Sequence, residues 1–211
     1  MSDLARELAA GLAPVPRAQV PRRLLLGLAA GLVVSIVLVL EILGPRPDMA
    51  QAMHTPMFWA KLIYPLSLAV IAVFALERLA RPAASARSRV AWLPVPVILV
   101  ILLALIAVFL APPSARETML MGQSARICPF LVSAFAVPPL AGLIWAMRGL
   151  APTRLREAGL IIGLAAGGAG AFAYAWHCTE TGAPFLAVWY SLGIAAAALL
   201  GWLTGPHVLR W

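Results

Sequence analysis

Six long apolar runs, separated by short connectors rich in glycine, proline, serine and charge, leave this 211-residue chain little choice of fold. About 20 residues at a rise of about 1.5 Å cross a hydrocarbon core of about 30 Å. A helix satisfies its own backbone polar groups in that solvent-free layer, and an open strand does not. The runs are Leu24–Leu40 continuing through Glu41 to Leu43, Leu62–Leu76 framed by Lys61 and Glu77, Trp92–Ala111, Cys128–Met147, Ala158–His177 and Pro184–Leu203. Composition agrees, with 63% hydrophobic and 11% charged residues. Soluble domains carry roughly 25% charged residues, so a soluble globule, a disordered tail and a coiled-coil rod are all excluded. The expected fold is an all-α integral membrane protein, a bundle of six transmembrane helices with short loops. A short segment, 1–23, precedes a membrane domain, 24–211, with spans at about 24–43, 57–79, 92–111, 128–147, 158–177 and 184–203. The first run lies too far from Met1, and is too long, for a cleavable signal peptide, so it is read as a retained span. Pro138-Pro139 predicts a kink within the fourth.

The formal charge is +8, with 16 Lys+Arg against 8 Asp+Glu. In a soluble protein this excess would point to nucleic acid; in a membrane protein it encodes orientation. On one side of the alternating spans Arg46, Lys61, Arg116 and Arg126 are balanced by Glu41, Asp48, Glu117 and Glu180. The other side holds the excess: Arg6, Arg17, Arg22, Arg23, Arg78, Arg81, Arg87, Arg89, Arg148, Arg154, Arg156 and Arg210. The positive-inside rule then puts both termini in the cytoplasm, and the charge excess is read as orientation with no direct nucleic-acid contact. Trp59, Trp92, Trp145, Trp176, Trp189 and Trp202 at run ends fit interfacial belts.

Small residues mark the packing faces. Gly27 and Gly31 are extended by Ser35 in the first span; Gly159, Gly163 and Gly167 recur in the fifth; Gly193, Ala197 and Gly201 recur in the sixth. Such stripes let helix backbones approach closely, and the long stripe of the fifth span predicts that it is central. Glu41 and Lys61 lie towards the outer ends of their spans, where their stems reach the headgroups; a pair between the two helices is the alternative.

No phosphate loop, dinucleotide fingerprint, H-E-x-x-H or G-x-S-x-G is present, and no charge falls near a span centre. Enzymes and ion-coupled transporters are disfavoured. The sharpest local feature is the pair of cysteines. Cys128 opens the fourth run and Cys178 follows the end of the fifth, which places both on the outer side. Cys128 precedes Pro129 at a helix start, where the dipole favours an anion, and Arg126 adds positive charge. That marks Cys128 as the nucleophile or stronger metal ligand and Cys178 as its resolving partner. His177, His54 and Glu180 are accessory metal ligands if a soft ion is bound. No cofactor is obligatory; a transient heavy-metal ion is the ligand that such donors suit. An inert disulfide, or two buried small apolar residues, is the competing reading. His177 alone is more often an interfacial anchor than a ligand, and His207 more often a solvated tail residue.

Before the first span, Leu4, Leu8 and Leu12 recur at helical spacing behind an N-cap at Ser2, with Gly11 and Pro14 closing the turn. A helix this short is marginal in water and gains order against a membrane or in a partner's groove.

Several stretches resemble the NrsF-type family of six-span anti-sigma factors, negative regulators of an extracytoplasmic-function sigma factor. They are Leu8-x-x-x-Leu12-Ala13-Pro14-Val15, Gly44-Pro45-Arg46-Pro47-Asp48, Tyr174-Ala175-Trp176-His177-Cys178, Phe185 through Gly193, and Gly205-Pro206-His207-Val208-Leu209-Arg210-Trp211. The resemblance implies a cytoplasmic N-terminus, carrying Leu4, Leu8 and Leu12, that holds a sigma factor inactive at the membrane. It also implies that Cys128 and Cys178 sense heavy metals or oxidants. The expected partners are that sigma factor and the lipid bilayer. A small-molecule or metal transporter with an incidental thiol pair is the rival function, and a membrane thiol–disulfide enzyme a second, opposed by the lack of C-x-x-C.

Overall fold

The computed structural model describes residues 18–81, 87–150 and 152–210. In chain order its helices are α1 Gln19–Ile42, α2 Met49–Ala52, α3 Pro56–Leu79, α4 Arg87–Val90, α5 Pro94–Leu110, α6 Pro113–Met121, α7 Cys128–Phe135, α8 Val137–Arg148, α9 Leu155–Tyr174, α10 Ala183–Phe185 and α11 Ser191–Val208. A π-helical turn, Leu186–Tyr190, joins the last two. Six segments are long and apolar enough to cross a membrane: α1, α3, Ser88–Leu110, Cys128–Arg148, α9 and Ala183–Val208. Six crossings return the chain to its starting side, so Ala18 and Arg210 share one end and the two cysteines occupy the other. The expected N-terminal leucine helix, including Leu4, Leu8 and Leu12, lies outside the described residues.

The fourth span breaks at Ala136, between α7 and α8, as the proline pair predicts. Pro139 has no N–H to give to the carbonyl four residues back. That carbonyl, on Phe135, accepts instead from the Ser35 hydroxyl of α1 at 2.7 Å. The stripe predicted in the first span explains why Ser35 is there. Leu24, Gly27, Gly31, Ser35 and Val39 are the buried face of α1. A Cβ on Gly27 would fall 2.4 Å from the Gly142 carbonyl oxygen, and one on Gly31 2.4 Å from Pro139 Cα, so only glycine lets α1 meet α8 backbone to backbone.

Helix α9 is central and 78% of its spanning window is buried. Its glycines serve three neighbours. Gly159 and Gly163 abut Gly201 and Ala197 of α11, Gly168 abuts Pro65 of α3, and Gly170 abuts the Ala136 joint. The sixth-span stripe is divided, because Gly193 packs on Val132 of α7 rather than on α9.

Two features depart from expectation. The connector after the third span holds an additional helix, α6, none of whose residues is buried; Pro113 starts it and Gly122, at φ +51°, ends it. The π turn is a second departure. Its surplus residue leaves no trace in apolar periodicity, since Leu186–Tyr190 is hydrophobic all round.

A Gly163→Val variant should lose thermal stability in detergent, because its side chain has to displace the backbone of Ala197 and Ala198. Overpacking of this kind costs about 1–3 kcal/mol. The lipid-facing Leu200→Ala should melt within about 0.5 kcal/mol of the parent chain, as surface substitutions do. Equal melting of the two variants would contradict the packing account.

Candidate functional site

The turn that follows α9 gathers Arg46, Lys61 and Glu180 at the cysteine end. After Tyr174 the last N–H groups still point back into the helix: Trp176 N donates to Ala173 O, and His177 N and Cys178 N both donate to Tyr174 O. The outward carbonyls have no partner from their own helix, and the negative end of the helix dipole attracts cations to them. Two other segments supply the donors. Arg46 N donates to Trp176 O at 3.1 Å. The Cys178 carbonyl accepts from Arg46 Nη1 at 3.2 Å and from Lys61 Nζ at 2.9 Å. Lys61 Nζ also donates to Glu180 O and lies 3.4 Å from the Cys178 sulfur. The His177 Nδ1 atom is 2.9 Å from Gly44 O.

Arg46 stands between Pro45 and Pro47 and is only 4% exposed. Asp48 holds it with two bonds, Nε to Oδ1 at 2.8 Å and Nη2 to Oδ2 at 2.7 Å, in the paired geometry that makes arginine–carboxylate contacts strong. The hydrogen bond from Arg46 holds the Asp48 carboxyl below its ordinary range. The same bond raises Arg46, against the desolvation that burial imposes. Lys61 is 1% exposed, and its contacts are two carbonyls and a thiol. A buried ammonium is costly unless its protons are all bonded, so the turn and Lys61 fix each other.

Glu180 ties the same turn to the start of the fourth span. Its Oε1 accepts from Gln123 N at 2.8 Å, Ser124 N at 3.0 Å and Ser124 Oγ at 3.0 Å. The Ser124 carbonyl in turn accepts from Cys128 N at 2.9 Å. Gly122 makes this wrap feasible, because a Cβ there would fall 2.3 Å from Glu180 Oε2. Cys128 and Cys178 are both free thiols, 0% and 3% exposed, and lie with Lys61 and Glu180 within electrostatic reach of one another. The Tyr174 and Tyr190 rings, 5.9 Å apart, wall this interior.

This constellation occurs in a chain whose residues 8–211 match the family described as NrsF, negative regulator of sigma F. The chain belongs to the NrsF family. Two relatives extend the match. It is 37% identical over 209 residues to the probable anti-sigma-F factor NrsF of Azospira oryzae, covering 99% of this chain and 98% of that protein. It is 40% identical over 212 residues to the anti-sigma-F factor NrsF of Caulobacter vibrioides, covering 99% and 96%. No solved structure matches. The family is one of regulators, and the chain is not an enzyme.

Of the residues singled out in the sequence, this NrsF-family fold brings Cys128, Cys178, His177 and Glu180 to one end. His177 faces the Gly44 carbonyl, Glu180 is spent on the Gln123–Ser124 turn, and His54 is exposed. Among the described residues no group of three or more His, Cys, Asp or Glu side chains is placed to hold an ion. Lys61 neither snorkels nor pairs with Glu41, which is exposed; it turns inward, where the Cys178 and Glu180 carbonyls and the Cys178 sulfur accept from it. The cation beside the thiols is therefore Lys61, while Arg126 is exposed. Trp176, read as a belt residue, is half-buried against Phe58 and Phe172. Arg46 and Ser124 were missed as site residues. The signal for Arg46 was the Pro45-Arg46-Pro47-Asp48 string itself: an extended proline frame with arginine and aspartate two apart on one side.

Two outcomes follow from these bonds. Asp48 has its carboxyl pKa lowered on folding, so the pair stabilises the fold above the unfolded value of about 3.9 and the contribution fades as pH falls through the lower folded value. The melting difference between the parent chain and Asp48→Asn should be constant from pH 7 down to about 4 and shrink below that; a difference that grows on acidification would refute the assignment. Lys61→Met should free the Trp176–Glu180 turn, and maleimide labelling of Cys178, measured with Cys128→Ser in the background, should accelerate by about tenfold or more, as for local opening favoured by about 1.4 kcal/mol.

Proposed function

We propose that the chain is a membrane-bound anti-sigma factor that holds a sigma factor of the extracytoplasmic-function class inactive at the bacterial inner membrane. The observation that carries the reading is the family match over residues 8–211, together with two full-length relatives named for that role. The arginine excess at the end shared by Ala18 and Arg210 supports a cytoplasmic location for both termini. The segment with Leu4, Leu8 and Leu12 offers an apolar stripe for a groove on the sigma factor.

The same proposal makes Cys128 and Cys178 the sensor for heavy metals or oxidants, and the bonds around Cys178 supply a route. A soft cation on the Cys178 sulfur would put positive charge where the Lys61 ammonium now sits at 3.4 Å, and the two cations repel. A disulfide between the cysteines would pull the same sulfur away. Either event loosens the carbonyl that Lys61 shares with Arg46, the anchor of the strap that follows α1. Helix α1 is 24 residues long and continuous, so a shift at Arg46 reaches Gln19, next to the sigma-binding segment. The two bundle states must differ by about 1.4 kcal/mol in sigma affinity for each tenfold of release.

A sigma-dependent reporter tests this. Removing residues 2–13 should raise expression without inducer, whereas continued repression would move the sigma contact to the Arg78–Arg89 or Arg148–Arg156 connectors. Cys128→Ser/Cys178→Ser should keep repression and abolish induction by cadmium or peroxide; full induction in that variant would remove the cysteines as sensor.

A further inference from the structure

At the opposite end from the cysteines, α1 and α8 diverge above their Gly27–Gly142 contact and leave a cavity of about 450 Å³. Ala18, Gln19, Arg22, Arg23, Leu26 and Trp145 line it, so the described lining holds two guanidinium groups and no acid. Arg23 is set in place rather than loose. Its guanidinium lies 4.8 Å over the Trp145 ring, Nη2 is 3.4 Å from Trp145 O, and the head presses on Gly149. Its Nε is buried and, among the described residues, without a hydrogen-bond partner. That nitrogen has no accessible surface, so an acceptor from outside the chain would meet the exposed Arg22 and the outer edge of the half-buried Arg23 head. The first turn of α1 adds to this demand, because Ala18 provides no side-chain cap and the helix dipole is positive there.

The wall of the cavity discriminates among anions. Leu26 and Trp145 are 55% and 56% exposed on the face that meets lipid. A free anion would leave that wall wet, whereas a phospholipid covers it with an acyl chain while its phosphate reaches the arginines. We propose that this cavity binds an anionic glycerophospholipid, with the phosphodiester on Arg22 and Arg23 and the adjoining chain along Leu26 and Trp145. Basic pockets between transmembrane helices at headgroup depth take such lipids on electrostatic grounds. The site is independent of the regulatory reading and of which side of the membrane this end faces.

The test is native mass spectrometry of the full chain in detergent, supplied with equal phosphatidylglycerol and phosphatidylcholine of matched acyl chains. The parent chain should retain phosphatidylglycerol in preference by about tenfold or more, the order expected when two guanidinium groups meet one phosphate. Arg22→Gln/Arg23→Gln should abolish the preference. Gly149→Ala is the milder variant: its Cβ would fall 2.2 Å from the Arg23 guanidinium carbon and push the head off Trp145 with the charge intact, so the preference should drop partway. Equal retention of the two lipids by the parent chain, or an unchanged preference in either variant, overturns the proposal. Displacement of the lipid by millimolar inorganic phosphate overturns it in favour of a free-anion site. Loss of sigma-factor capture in the double variant with lipid retention unchanged overturns it in favour of an acidic protein surface.

Discussion

Every carbonyl in a bilayer-spanning bundle has to find a donor without help from water, and the architecture of this chain is arranged around the carbonyls that its helices leave over. Pro139 orphans the carbonyl of Phe135, and Ser35 reaches across from α1 to fill it. The end of α9 orphans the carbonyls of Trp176, Cys178 and Glu180, and Arg46 and Lys61 are drawn inward to fill those. In both places the donor comes from a helix or strap distant in sequence. Satisfaction of local backbone polarity therefore doubles as long-range connection.

These connections give the two ends of the bundle different characters. At the cysteine end a cluster of charge is internal: Arg46, Lys61 and Glu180 are engaged by the protein's own backbone. At the other end charge is directed outward, with Arg22 exposed and Arg23 stacked on a tryptophan that itself faces lipid. An internal polar knot has few arrangements, each well defined, and passes from one to another as a unit. Arg22 and the stacked Arg23 present their charge to groups outside the bundle. A sensor suits the first kind of end, and an attachment point suits the second.

Much of the fold was legible in the sequence because membrane helices obey few rules. Run length gave the spans, proline gave the break at Ala136, and the glycine stripe of the fifth span gave its central place. The candidate site was legible only in part. Topology brought Cys128 and Cys178 to one end, but the role of Lys61 was hidden. A lysine near a span end has a stem long enough to reach the headgroups or the bundle interior, and the choice depends on acceptors contributed 117 residues away. The place of Glu180 was hidden for the same reason: a carboxylate beside cysteine and histidine offers itself as an accessory ligand, and nothing local shows that its Oε1 caps the Gln123–Ser124 turn. Sequence reports which groups are present near a site; it does not report which of them are already engaged.

The π turn at Leu186–Tyr190 carries a surplus residue between two stretches that pack on different partners. Before it, Ala183 and Phe185 are buried at the cysteine end; after it, Gly193 meets α7 while Ala197 and Gly201 meet α9. A π turn takes up one extra residue within a single turn, so removing that residue would let the stretch close as ordinary α-helix with the small-residue stripe still on the glycines it meets. A residue removed beyond it, between Gly193 and Gly201, finds no such slack and would rotate the rest of the stripe by about 100° away from them. The π turn is thus the place where the last helix can change length without changing face.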